Sequence, residues 1–136
     1  MEAHLIGKAI PQINASCLAD LLERCAAMDR MRDHDQWLAA NRGFHRALLA
    51  PSDATMTIDL IEQLSSQVER YLRVRRAGRD RQVAAGLEHR AIVRAVKERD
   101  IVQARKLLRT HIMQTHATIL AAVEKLRSSD NGKLGS

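Results

Sequence analysis

The sequence predicts an all-α fold, an antiparallel bundle of about six helices with a shortened first helix. Three observations carry this. Apolar residues make up 46% of the 136-residue chain but aromatic residues only 2%, so Leu, Ile, Val, Ala and Met must build the interior. Only six Gly and two Pro interrupt the chain, and β-branched runs are lacking. Apolar residues also recur at spacings of three and four in one segment after another, the period of a helix with one face in a core. A chain of this length supports one domain with one moderate core.

The elements follow in order. Met1 to Ile10 reads as a turn or two of helix cut short at Pro11, like the tail of a longer helix. The second helix begins at Gln12 or Asn14 and runs to Met31, with Leu18, Leu21, Leu22, Cys25 and Met28 at helical spacing and Asn14 or Ser16 as N-cap. A polar joint, Arg32-Asp33-His34-Asp35, leads to a third helix, Gln36 to Ala50, which Asp35 is expected to cap. After the loop signal Pro51-Ser52-Asp53, a fourth helix spans Thr55 to Arg76, with Ile61, Leu64, Val68 and Tyr71 as its inner stripe. Asp80 is expected to cap a fifth helix, Arg81 to Arg99, and Asp100 the sixth, Ile101 to Arg127. The seam of that last helix is Ile101, Ala104, Leu108, His111, Thr115, Ile119, Ala122 and Leu126. Residues 1–127 are thus expected to form one helical domain. Ser128 to Ser136 is polar and Gly-containing and is expected to be a flexible tail.

Composition also excludes some classes. No apolar run approaches the roughly 20 residues of a membrane span, and the N-terminal stretch lacks the pattern of a signal peptide. A cytoplasmic protein is expected. Cys17 and Cys25 are eight apart on one helix, about 12 Å on a straight axis and too far to bridge. They read as reduced thiols in or near the core. The formal net charge of +6 favours anionic partners but says nothing about fold.

The chemistry concentrates in three histidines. Leu38, Asn41, His45 and Leu48 are spaced 3, 4 and 3 in the third helix; Ala85, His89, Ile92 and Val96 are spaced 4, 3 and 4 in the fifth. His111 lies between Leu108 and Thr115 in the sixth. Each imidazole therefore faces the interior that its apolar neighbours face, and Asn41 projects beside His45 at i and i+4. Inward imidazoles on facing helices can bind a first-row metal, with the amide oxygen as a fourth donor and a position left for water or a ligand oxygen. Glu88 or another carboxylate is the expected partner orienting an imidazole from behind. Spacing alone leaves a second reading open, in which each histidine is a hydrogen-bonded core residue. His4, His34 and His116 lie off this set and read as surface or joint residues.

The stretch Asn41-Arg42-Gly43-Phe44-His45, then Glu88-His89-Arg90-Ala91-Ile92-Val93-Arg94-Ala95-Val96 with Arg99-Asp100 and Ala104, then His111-Ile112, resembles the FCD domain. This is the C-terminal effector-binding domain of the FadR subfamily of GntR transcription regulators. The resemblance covers about Ser16 to Val123. It implies an FCD-like antiparallel bundle holding a divalent metal through Asn41, His45, His89 and His111. Zinc comes first among the candidates, and nickel, manganese and iron are also compatible. It further implies a small organic acid bound at the metal, a homodimer, and DNA binding only through an N-terminal winged-helix domain. No helix-turn-helix fits before Pro11, so the chain is expected to be either an excised sensor or a sensor without a reader. One departure matters: Asn41 stands where many members carry Asp, which predicts weaker metal retention and a larger share of binding from the effector's own carboxylate.

Arg70, Arg73, Arg75, Arg76, Arg79 and Arg81 crowd the end of the fourth helix and the loop beyond it. Most fit a solvated helix end, where cations complement the C-terminal dipole. One inward arginine could meet the effector's carboxylate, and Arg73 is the residue assigned to that role. Two functions of other classes remain beside the sensor. One is a helical-bundle metalloenzyme using metal-bound water, for which the sequence offers no general base beyond Glu88 or an unplaced carboxylate. The other is a metal-free helical interaction module. A non-enzymatic sensor is the expected reading.

Overall fold

A computed structural model describes residues 2–72 and 79–134 of the chain. Six α-helices and two short 3₁₀ turns follow one another, with no strand among the described residues: α1 (Glu2–Ala9), a turn (Ile10–Gln12), α2 (Ala15–Asp29), α3 (His34–Leu49), a turn (Ala50–Ser52), α4 (Thr55–Leu72), α5 (Arg79–Lys97) and α6 (Ile101–Leu134). The all-α bundle expected from composition and period is the fold observed.

Local chemistry sets the helix starts. Asn14 is extended, and its Oδ1 accepts the Cys17 amide at 2.9 Å, which satisfies one of the first-turn donors of α2. Asp100 does the same for α6 through the Gln103 amide at 3.1 Å. Pro11 sits at the start of the first 3₁₀ turn, where a missing N–H leaves no bond unmade. Two expected caps are displaced. α3 begins two residues earlier than a cap at Asp35 would place it, with Asp33 at the N-cap making no side-chain bond and Asp35 in the first turn. There its charge still complements the helix dipole. α5 likewise begins at Arg79, so Asp80 lies inside the helix.

The joint between α5 and α6 locks the far end of the bundle. The Arg99 amide donates to Val96 O and the Asp100 amide to Ala95 O, both at 3.0 Å, the paired bonds of a Schellman C-cap. Arg99 itself has φ of 56°, a left-handed position usually given to glycine. Its guanidinium offsets that strain by donating to Ile10 O at 2.8 Å and Ile13 O at 2.9 Å, tying α5 to the turn after α1. Arg99→Gly should relieve the backbone while losing both bonds; Arg99→Ala loses the bonds and keeps the strain. The alanine variant is therefore expected to be less stable than the glycine variant by about 1 kcal/mol, read from paired urea denaturations.

Packing follows from the stripes. α1 lies on α6 and α3, α2 between α3 and α5, α5 against α6, and α4 on α3. Ile6, Ile10, Leu21, Phe44, Leu48, Leu49, Ile92, Val96 and Leu108 fill the centre. Cys25 is buried and Cys17 half-buried, both as free thiols, and burial pushes the Cys25 thiol up. Two expectations need correction. Leu64 is 48% exposed, whereas Ile58 and Ile61 face inward; α4 turns a slightly rotated face to α3, on which Arg46 pairs with Asp59 and Glu62. Helix α6 continues past Arg127 to Leu134. Ser128 to Gly132 are weak helix formers but include no proline to stop it.

Candidate metal centre

Four helices converge at one point in the bundle, and each brings at least one polar side chain to it. His45 on α3, His89 on α5 and His111 on α6 offer ring nitrogens that all lie within 4.8 Å of one another. Phe44, buried beside His45, packs its ring on His89 at a centroid distance of 4.4 Å and walls the cluster from the core. α1 brings Glu2. His89 and His111 are 1% and 4% exposed.

Hydrogen bonds fix how these rings face. Glu2 Oε1 lies 3.0 Å from His45 Nδ1, and Glu88 Oε1 lies 2.6 Å from His111 Nδ1. A carboxylate can only accept, so both rings carry a proton on Nδ1, which in the neutral ring leaves a bare lone pair at Nε2. These two Nε2 atoms face each other at 3.4 Å. Two lone pairs at that distance repel unless a cation lies between them. The edge of a tetrahedron around zinc, with bonds of about 2.0–2.1 Å, is about 3.3 Å.

The remaining donors point the same way. Both ring nitrogens of His89 are buried without a hydrogen-bond partner among the described residues, as is Asn41 Oδ1, one helical turn before His45 on the same face. Buried polar atoms are nearly always bonded, so such orphans call for a ligand. The donor set of three imidazoles and one amide oxygen suits a divalent first-row ion.

Electrostatics keeps His89 and His111 neutral and Glu2 and Glu88 charged. Burial drives the His89 pKa from 6.5 to about 2, and His45 and His111 beside it would repel a second proton in the cluster. Burial and His45 also lower His111, against the pull of Glu88. Burial alone would raise Glu2, but its hydrogen bond to His45 and the nearby imidazole charges hold it below the usual carboxylate range. In Glu88 the bonds from Arg81 and His111 likewise outweigh burial. Arg81 grips Glu88 at 2.8 and 3.1 Å and donates to Thr115 Oγ1 at 3.0 Å.

The structure thus gathers His45, His89 and His111, and it places Glu88 behind an imidazole as expected. Glu2 is a group the sequence reading missed. Its signal was present, since Glu2 lies one turn before the buried Leu5 and Ile6 on the same stripe. Of the arginine cluster, Arg81 turns inward to Glu88, while Arg73, assigned to the effector, lies outside the described residues. His4 is exposed and His34 bonds to Gln82 at 3.1 Å at the foot of α3, in keeping with surface and joint roles.

The family model of the FCD domain matches residues 1–114. The chain belongs to the FCD domain family. Two solved structures share the bundle, each at 21% identity. Against Escherichia coli McbR/YncC the TM-score is 0.77, covering 88% of this chain and 62% of that one. Against a GntR-family transcriptional regulator from Pseudomonas syringae pv. tomato it is 0.72, covering 97% of this chain and 54% of that one. The chain therefore spans about half to three fifths of the length of these regulators. No curated protein matches the chain. No helix among the described residues is long and apolar enough to cross a membrane.

Proposed function

We propose that this FCD domain, residues 1–127, is the metal-dependent sensor of a GntR-type regulator of the FadR subfamily. It holds one divalent ion, zinc first, through His45, His89, His111 and Asn41, and takes a small organic acid at that ion. It works as a homodimer in the cytoplasm and modulates DNA binding by a domain outside this chain. The observation that carries the reading is the pair of Nε2 lone pairs facing each other at 3.4 Å with a carboxylate behind each ring.

A bound ion would supply a Lewis-acidic centre for an effector carboxylate. The residues around it do the rest. Glu2 and Glu88 hold their imidazoles in the ligating tautomer, and Phe44 closes the core side. Because the proposed ligands are three neutral imidazoles and a neutral amide, the full positive charge of the ion stays available to an anion. That is why an acid is the expected ligand class. Arg73 is proposed to meet the effector's carboxylate, and Arg73→Ala should weaken acid binding without affecting metal content.

The test is elemental analysis with a thermal-shift screen of di- and hydroxycarboxylates, run on the parent and on His89→Ala. Stabilisation of the parent alone is expected; a hit that stabilises both equally would overturn the metal-centred reading. Chelator should lower the melting temperature of a sensor and leave a metal-free interaction module unchanged. Asn41→Asp adds a negative charge to the ligand set, so it should retain metal more tightly through dialysis than the parent. Equal retention would remove Asn41 from the set.

A further inference from the structure

The two carboxylates behind the cluster come from different parts of the chain. Glu88 adjoins His89 on α5, inside the framework that already carries a ring. Glu2 sits on α1, 43 residues away from His45 in sequence, on a helix that provides none of the imidazoles. Its side chain is 15% exposed and His45 is its ion-pair partner. α1 also buries the apolar side chains Leu5, Ile6 and Ala9.

We propose that Glu2 is a positioning residue for His45, and that through it the docking of α1 is coupled to occupation of the metal centre. This rests on the metal-centre reading given above. Accepting the Nδ1 proton fixes the His45 tautomer, aims its Nε2 lone pair into the cluster and makes that nitrogen a better ligand. In return, a cation on Nε2 draws electron density from the ring and makes Nδ1–H a stronger donor to Glu2. The coupling is reciprocal: whatever factor docked α1 adds to metal affinity, metal adds to the docking of α1. Occupation of the centre is thereby converted into a tighter hold on one particular helix, a link that Glu88 cannot make.

The probe is zinc ion alone, applied to the full chain, Glu2→Gln and Glu2→Ala. Three quantities are read: zinc affinity by competition with a chromophoric chelator, the His45 tautomer by nitrogen NMR, and amide exchange in α1 with and without zinc. Glu2→Ala should lose about 10–100-fold in zinc affinity and the Nδ1–H signature of His45. Zinc should slow α1 exchange in the parent and leave it unchanged in Glu2→Ala. Glu2→Gln, whose amide oxygen still accepts but carries no charge, should fall several-fold short of the parent and keep the tautomer. A purely structural Glu2 would alter melting without moving the tautomer. Unchanged zinc affinity in Glu2→Gln, with α1 still protected by zinc in either variant, overturns the coupling while the parent's zinc uptake stands. Absence of uptake by the parent overturns the metal centre, and the coupling with it.

Discussion

Replacing His89 with leucine is expected to raise the melting temperature of the metal-free protein and to abolish its response to metal. Most buried large residues behave in the opposite way. His89 is 1% exposed, yet neither of its ring nitrogens has a partner among the described residues. A buried polar group left unbonded costs about 1–3 kcal/mol, and a leucine of similar size removes that cost while packing on Phe44. The gain should be on the order of 1–2 kcal/mol, or about 4 °C per kcal/mol for a chain of this size. His111→Leu should move the other way, because it strips Glu88 of the imidazole bonded at 2.6 Å. Melting curves in chelator and in zinc decide the matter. If the leucine variant of His89 melts below the parent in chelator, His89 is a packing residue and the centre loses one of its three imidazoles.

The sequence showed which faces were inward more clearly than what they met. The spacing of Ala85, His89, Ile92 and Val96 reports one face of α5, and all four are buried. Period alone, however, carries no information about the height or rotation of the helices opposite, so convergence of His45, His89 and His111 was not legible from it. The ordered family pattern supplied that step. Caps were legible at Asn14 and Asp100, whose side chains accept first-turn amides as expected. They were not at Asp35 and Asp80, where the helices start earlier. At α3, the bond from the Trp37 amide to Asp33 O places the first turn ahead of Asp35, and at α5 the bonds of Arg81 to Glu88 and Thr115 accompany an earlier start. The stripe of α4 admitted two neighbouring faces, and the ion pairs of Arg46 go with the one containing Ile58 rather than Leu64. Glu2 was missed for a different reason. An acid near a helix start reads as a solvated dipole partner, and only the fold shows that α1 lays it against His45.

Acid should destabilise the metal-free protein beginning well above the carboxylate range. His89 has its folded pKa pushed from 6.5 to about 2, so below pH 6.5 the unfolded chain takes a proton that the folded chain refuses. Stability from this group is complete above 6.5 and falls steadily as the pH drops. At pH 5 the loss from His89 alone is about 2 kcal/mol, and His111, shifted in the same direction, adds to it. Glu2 and Glu88 enter later. Their folded pKa values lie below 4.5, so the stability they contribute is present above that value and is lost as the pH falls through the folded ones. All four groups therefore act in one direction, in two windows, with the histidines first. Urea midpoints measured in chelator from pH 8 to pH 4 should stay level to about 6.5 and then fall. His89→Leu should flatten the curve between 6.5 and 5 and leave the later carboxylate loss in place. A parent curve that is level down to pH 5 would mean that His89 is not held neutral by burial. It would also remove the electrostatic basis for treating it as a ready ligand.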